Sequence, residues 1–336
     1  MNRLKNNIRI VTLASVVVAC AWIMTSCFTK EELDSRGVIR LGVSAPAAPS
    51  AVSSRAAIGN VADLSKYGGD KVGIFGLEID RSTPVLGAWS GNLVMDNVRT
   101  SAVGTDGKLH WAGTYYYPLE ETRYVEFFAY HPHAEVGSEG DNYVKMSGSD
   151  DAPTLFFTLD GSQDVMYTTP VVGNVSNAPG KLQFKHALTR LTFALSDPDG
   201  GYAGATLNGI TFQQVDTKGS MNIENGALGT WSKKENLDMV LTPTDIDAVS
   251  QVQNIEGDMM LQPGQSEFFI TVKTSFGDVP NVRITPKTNA DGSPADVFAA
   301  AQSYRITLKF DKKHEIESSA TVEDWQFGGY GVGVVE

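Results

Sequence analysis

Short apolar segments with a two-residue alternation recur along this 336-residue chain, and that period limits what it can fold into. They include Lys71-Val72-Gly73-Ile74-Phe75-Gly76-Leu77, Tyr124-Val125-Glu126-Phe127-Phe128-Ala129-Tyr130 and Thr189-Arg190-Leu191-Thr192-Phe193-Ala194-Leu195. Ser266-Glu267-Phe268-Phe269-Ile270-Thr271-Val272 and Tyr304-Arg305-Ile306-Thr307-Leu308-Lys309-Phe310 repeat the pattern. Successive side chains of a strand point to opposite faces, so this period, with β-branched and aromatic enrichment, marks strands. Turn-forming clusters separate them, as in Asp197-Pro198-Asp199-Gly200-Gly201 and Asn289-Ala290-Asp291-Gly292. No long amphipathic helix with caps is visible, and short helices are expected only over residues 244–252 and 294–301. The chain reads as all-β, built from packed sandwiches.

The first 26 residues follow a different logic. Arg3 and Lys5 precede an apolar run from Ile10 to Met24, and the small residues Thr25-Ser26 follow it. A cationic start, a short apolar core and small residues at a cut site describe an export signal. The run is too short, with the wrong flanks, to favour a membrane span. Cys20 and Cys27 are the only cysteines, and both lie in this region. Met24-Thr25-Ser26-Cys27 resembles a bacterial lipobox, which implies cleavage before Cys27 and acylation of its sulfur and new amino terminus. Val17-Val18-Ala19-Cys20 also fits that pattern, although cleavage there would leave Trp22-Ile23-Met24 exposed. The following Lys30-Glu31-Glu32 resembles the signal that carries Bacteroidetes lipoproteins to the cell surface.

Composition narrows the partners. The chain has 27 basic and 39 acidic residues, for a net charge of −12. Loss of the signal removes three basic residues and no acid, making the remainder more acidic. That charge disfavours nucleic acid and anionic membrane surfaces, so membrane contact is expected only through the Cys27 lipid. With no cysteine beyond the anchor there is no structural disulfide, and stability must come from core size.

Residues 44–57 are rich in Pro, Ala and Ser and read as an exposed linker. A second boundary is expected near residues 174–181, where Asn177-Ala178-Pro179-Gly180 breaks the strand pattern. The expected organisation is a signal peptide over 1–26, a tether and N-terminal strand over 27–55, and domains over 56–180 and 181–336. In Val38-Ile39-Arg40-Leu41-Gly42-Val43, Ile39, Leu41 and Val43 share one face. The last eleven residues, 326–336, place Phe327 before a Gly-Gly hinge and then Tyr330, Val332 and Val334 on one alternating face. Glycine allows such a tail to approach another backbone closely.

Catalytic chemistry is not legible. There is no nucleophile elbow, P-loop or His-Glu-x-x-His. His110, His131, His133, His186 and His314 are dispersed, and His131-Pro132-His133 lacks a third ligand. Asp197-x-Asp199-Gly200 and Asp150-Asp151 lack the full ladder of a calcium loop. Glu120-Glu121 is an ordinary acid pair in an acidic chain, and Trp89, Trp111 and Trp231 read as core or cross-strand aromatics more than as sugar platforms. No enzyme, cofactor or metal site is expected.

Three sets of residues resemble the fimbrillins, the Bacteroidetes major and minor fimbrial subunits and their relatives. The first is Phe184-Lys185-His186-Ala187-Leu188-Thr189-Arg190-Leu191-Thr192-Phe193. The second is Tyr304-Arg305-Ile306-Thr307-Leu308 followed by Ala320-Thr321-Val322-Glu323-Asp324-Trp325. The third is the weaker series Gly73-Ile74-Phe75-Gly76, Tyr115-Tyr116-Tyr117-Pro118, Phe127-Phe128-Ala129-Tyr130-His131-Pro132 and Asp164-Val165-Met166-Tyr167. Their order behind a lipobox is more specific than any one of them.

The resemblance implies two tandem transthyretin-like β-sandwich domains and a surface lipoprotein of the outer membrane, cut by an arginine-specific protease. The cut releases an N-terminal strand, and a neighbouring subunit then fills the vacated groove. On this chain the implied cut is Arg55-Ala56, the removable strand carries Ile39, Leu41 and Val43, and the donor strand carries Phe327, Tyr330, Val332 and Val334. Arg36-Gly37 is an alternative cut that would not release the strand, and the tail could instead complete its own domain. Expected partners are other fimbrial subunits and host proteins or glycans. A permanently anchored glycan- or protein-binding lipoprotein that does not polymerise is the alternative.

Overall fold

The computed structural model describes residues 37–44, 72–80, 89, 92–104, 106–146, 151–247, 252–287, 294–310 and 316–323. Every regular element among them is a strand. In chain order these are β1 (Val43–Ser44), β2 (Gly73–Asp80), β3 (Leu93–Val103), β4 (Leu109–Trp111), β5 (Arg123–His131), β6 (Tyr143–Lys145) and β7 (Thr154–Thr158). Then come β8 (Met166–Thr168), β9 (Val171–Gly173), β10 (Leu182–His186), β11 (Thr189–Ser196), β12 (Thr206–Asn222) and β13 (Ser232–Met239). The last are β14 (Thr244–Asp245), β15 (Gln253–Leu261), β16 (Phe268–Thr274), β17 (Gly277–Ile284), β18 (Ser303–Phe310) and β19 (Ile316–Glu323). The five segments with the clearest alternation thus appear as β2, β5, β11, β16 and β18.

The strands form three sheets. The first runs β1-β10-β8-β5-β2-β3-β4, with β9 also on β5. The second runs β15-β11-β18-β19, and the third runs β17-β16-β12-β7-β6, with β13 and β14 also on β12. Pairing crosses residue 180 in both directions. β10 joins β8 in the first sheet, while β7 pairs with the far end of the seventeen-residue β12.

Each sheet has a reason to be where it is. β2 and β5 are apolar on both faces, the pattern of a strand buried on both sides. Ile74, Val125, Phe127 and Ala129 line one compartment with Ile39, Leu41, Val43 and Met95. Phe75, Leu77, Phe128 and Tyr130 face the other way, onto Leu155, Phe157, Met221 and Ile223. A third core lies between the β11/β15/β18 and β12/β16/β17 faces, centred on Phe193, Phe212, Phe268, Phe298, Tyr304 and Phe310.

The short helices expected at residues 294–301 and 244–252 do not form among the described residues. Thr244–Asp245 is β14, paired with Leu207 and Thr206 of β12. At 294–301 an aromatic anchor overrides helix propensity. Phe298 is fully buried, its ring 5.1 Å from Phe268 and 4.9 Å from Tyr304. Its amide donates to Gln265 O and its carbonyl accepts from Gly264 N, so both backbone groups bond across the loop instead of along a helix. Ala301 then turns with φ 56° and donates its amide to Leu188 O.

Candidate functional site

Residues 37–44 occupy a slot between the two ends of the first sheet. On one side they run antiparallel to residues 107–117, which contain β4. Tyr117 N donates to Gly37 O (3.1 Å), Ile39 N to Tyr115 O (2.9 Å), Leu109 N to Leu41 O (3.0 Å) and Val43 N to Gly107 O (2.7 Å). On the other side Leu182 N donates to Gly42 O (2.9 Å), and β1 pairs in parallel with β10, Val43 opposite Leu182. Because β4 and β10 close the two ends of the strand order, this one segment joins the sheet into a ring. Closure removes two open edges that would otherwise present unpaired amides and carbonyls.

The side chains follow the alternation read from the sequence. Ile39, Leu41 and Val43 are 1%, 3% and 0% exposed, whereas Arg40 points to solvent. The inward three meet Val72, Ile74, Val98, Leu109, Phe127 and Leu182 in one apolar compartment. Tyr117 contributes its ring to the same compartment, edge-on to Phe127 at 6.1 Å. Its buried Oη has no hydrogen-bond partner among the described residues, and burial pushes the phenol up to about 12. Gly37 sits so close to the opposite wall that a Cβ there would lie 2.9 Å from Val175 Cγ2 and 3.3 Å from Val175 Cα.

Cys27, Arg55, Ala56, Phe327, Tyr330, Val332 and Val334 lie outside the described residues, as do Cys20 and Arg36. The walls of the slot escape sequence reading. Residues 107–117 carry only the run Tyr115-Tyr116-Tyr117-Pro118 as a local signal, and nothing in it names residues 37–43 as its partner.

Several motif residues turn out to be internal braces. Asp164, in the loop before β8, lies 3.0 Å from His186 Nδ1 with both side chains buried, and its carbonyl oxygen is 2.7 Å from His131 Nδ1. Arg190 Nε is 2.9 Å from Asp258 Oδ2, joining β11 to β15 in a pair only 4% and 1% exposed. Thr189 Oγ1 donates to Ala299 O, and Ala299 N donates to Tyr304 Oη. Within the Phe184–Phe193 stretch, His186 thus braces the first sheet, and Thr189 and Arg190 brace the second.

Other candidate chemistry is similarly committed. Asp197 accepts the amides of Gly201 and Tyr202, which fixes a turn. His133 stacks at 6.4 Å on Tyr130, and burial lowers its basicity. Trp89 is buried against Phe75 and Phe128, Trp111 meets Tyr115, and Trp231 packs edge-on against Phe157. Among the described residues no three His, Cys, Asp or Glu side chains are grouped to hold a metal.

The fold has solved counterparts. A fimbrial protein of Bacteroides vulgatus superposes with a TM-score of 0.55 at 14% identity, over 85% of this chain and 99% of that one. A candidate cell adhesion protein of Bacteroides uniformis gives 0.53 at 17% identity, over 85% and 99% of the two chains. One from Bacteroides ovatus gives 0.54 at 14% identity, over 87% and 99%. No curated protein matches the sequence. The profile of the fimbrillin-like family matches residues 55–325. This chain belongs to the fimbrillin-like family, a family of structural proteins and not of enzymes.

Proposed function

We propose that the chain is the precursor of a fimbrial subunit or accessory adhesin, exported as a lipoprotein acylated at Cys27 and displayed on the outer membrane. Cleavage after Arg55 in the linker cuts the covalent link between the 37–44 strand and the body of the protein. The slot then becomes available to the C-terminal strand of another subunit, carried by Phe327, Tyr330, Val332 and Val334. The observation that supports this most directly is the seating of Ile39, Leu41 and Val43. They are core residues by burial, yet they belong to a segment joined to the rest only through the 44–57 linker. An isolated strand held by edge hydrogen bonds and alternate side chains is the kind of element another strand can replace.

The test is mass spectrometry of mature N-termini in the cell envelope and in sheared surface material, combined with deletion of residues 326–336. Chains beginning at Ala56 in the sheared fraction, and loss of polymer without loss of fold on deletion, are the expected results. Acylated Cys27 everywhere, with no cut form, would overturn the reading in favour of a permanently anchored binding lipoprotein.

A further inference from the structure

One glycine and three buried apolar positions of the seated strand restrict the frame in which another strand could replace it. The seated strand reads Gly37-Val38-Ile39-Arg40-Leu41-Gly42-Val43-Ser44. Position 37 needs glycine, because a Cβ there would press on Val175 Cα as well as on its methyl group, and backbone cannot give way as a side-chain tip can. Positions 39, 41 and 43 need apolar side chains, since all three are buried. Gly42 passes near Gly107 O and Lys181, where a Cβ would fit at ordinary contact distances of 3.6 and 3.5 Å.

The tail reads Phe327-Gly328-Gly329-Tyr330-Gly331-Val332-Gly333-Val334-Val335-Glu336. Resting on the strand-exchange reading above, we infer that a second copy of this chain enters the slot in a single register. Gly328 takes the place of Gly37, Tyr330 of Ile39, Val332 of Leu41, Gly333 of Gly42 and Val334 of Val43. Both glycines of the seated strand are then matched by glycines, and the donated strand runs parallel to β10. A slip of two residues puts Gln326 or Tyr330 against Val175. A slip of one either puts Phe327 there or turns Gly331 and Gly333 into the compartment in place of side chains. Run in the opposite direction, no frame combines glycine at position 37 with three apolar residues inward. Gly328 is the one tail glycine in phase with Tyr330, Val332 and Val334, which is why a single frame survives. Tyr330 also brings a hydroxyl into the compartment where Tyr117 Oη is buried without a partner among the described residues.

The register places Gly333 opposite Lys108, as Gly42 is now. That pair is flanked by the Val43–Gly107 and Leu109–Leu41 hydrogen bonds and is itself not hydrogen-bonded. Such pairs have close Cα atoms, within disulfide range. The experiment uses cells that process the full chain, with Lys108→Cys combined in turn with Gly331→Cys, Gly333→Cys or Val335→Cys. Sheared polymer is oxidised and separated on non-reducing gels, and processed chains carry no native cysteine. The register predicts a covalent ladder with Gly333→Cys and none with the other two. Gly328→Val is expected to cut polymer yield at least about tenfold, and Gly331→Val, at the solvent-facing place of Arg40, less than about twofold. Polymer that links through residue 331 or 335, or through none, overturns the register while leaving strand exchange standing. A link formed at monomer mass shows the tail in its own slot and overturns the second copy as occupant. Absence of polymer from the unmodified chain overturns both.

Discussion

His186 Nδ1 lies 3.0 Å from a carboxylate oxygen of Asp164, with both side chains buried. This contact holds the end of β10 to the loop that enters β8, and β10 is the parallel wall of the slot. A buried polar group that loses its partner keeps its desolvation cost. His186→Ala is therefore expected to lower unfolding free energy by about 2–4 kcal/mol. Exposed Lys185→Ala, one residue away, should change it by less than about 0.5 kcal/mol. Urea unfolding of the two variants checks the contrast.

The seated strand should behave as core on one face and surface on the other. Leu41→Ala is expected to cost about 2–5 kcal/mol, whereas Arg40→Ala should be nearly silent. Hydrogen exchange gives a local readout. The amides of Leu109 and Leu182, which donate to Leu41 O and Gly42 O, should lose protection in Leu41→Ala before those of β18 do.

Alkaline pH should open the first sheet. Burial raises Tyr117 to about 12 and also raises Tyr130, whose Oη donates to Asn97 Oδ1 at 2.6 Å. A phenol with a raised folded-state pKa binds more protons folded than unfolded between the two values. Its contribution is complete below pH 10 and is lost as pH climbs through 12. The unfolding midpoint should fall over that window, and less steeply in Tyr117→Phe. That variant should be close to neutral at pH 7, because it removes a buried hydroxyl that has no partner among the described residues.

How much of this was legible in the sequence depends on the range of each interaction. Ile39, Leu41 and Val43 could be read as one buried face because the period of a strand is local. The fimbrillin resemblance through Phe184–Phe193 was also visible, but the reason for its polar residues was not. His186 finds Asp164, and Arg190 finds Asp258 some seventy residues downstream, and no local pattern names such partners. β12 hides for another reason. Gln213-Gln214 and Asp216-Thr217-Lys218-Gly219 break its apolar alternation, and the strand continues through a register shift between Phe212 and Val215, with Gln214 at φ 49°. The helix expected at 294–301 failed because one buried phenylalanine outweighed the modest preferences of its neighbours.

Proteolysis by itself should not empty the slot. After a cut at Arg55 the strand keeps its hydrogen bonds to residues 107–117 and to β10, and Ile39, Leu41 and Val43 remain buried. Each such side chain contributes roughly 1.5–3 kcal/mol against exposure to water. In the lipid-anchored arrangement proposed above, the residues before the strand would stay tethered, so the cut would free the chain on one side only. The cut chain should therefore retain its strand as a noncovalent complex, and an incoming tail has to displace it residue by residue. In chains lacking residues 326–336 and cut at Arg55, native mass spectrometry should find the strand fragment still bound. In polymer from the intact chain the fragment should be absent. Prompt loss of the fragment from the truncated chain would show that cleavage, and not the arriving tail, limits assembly.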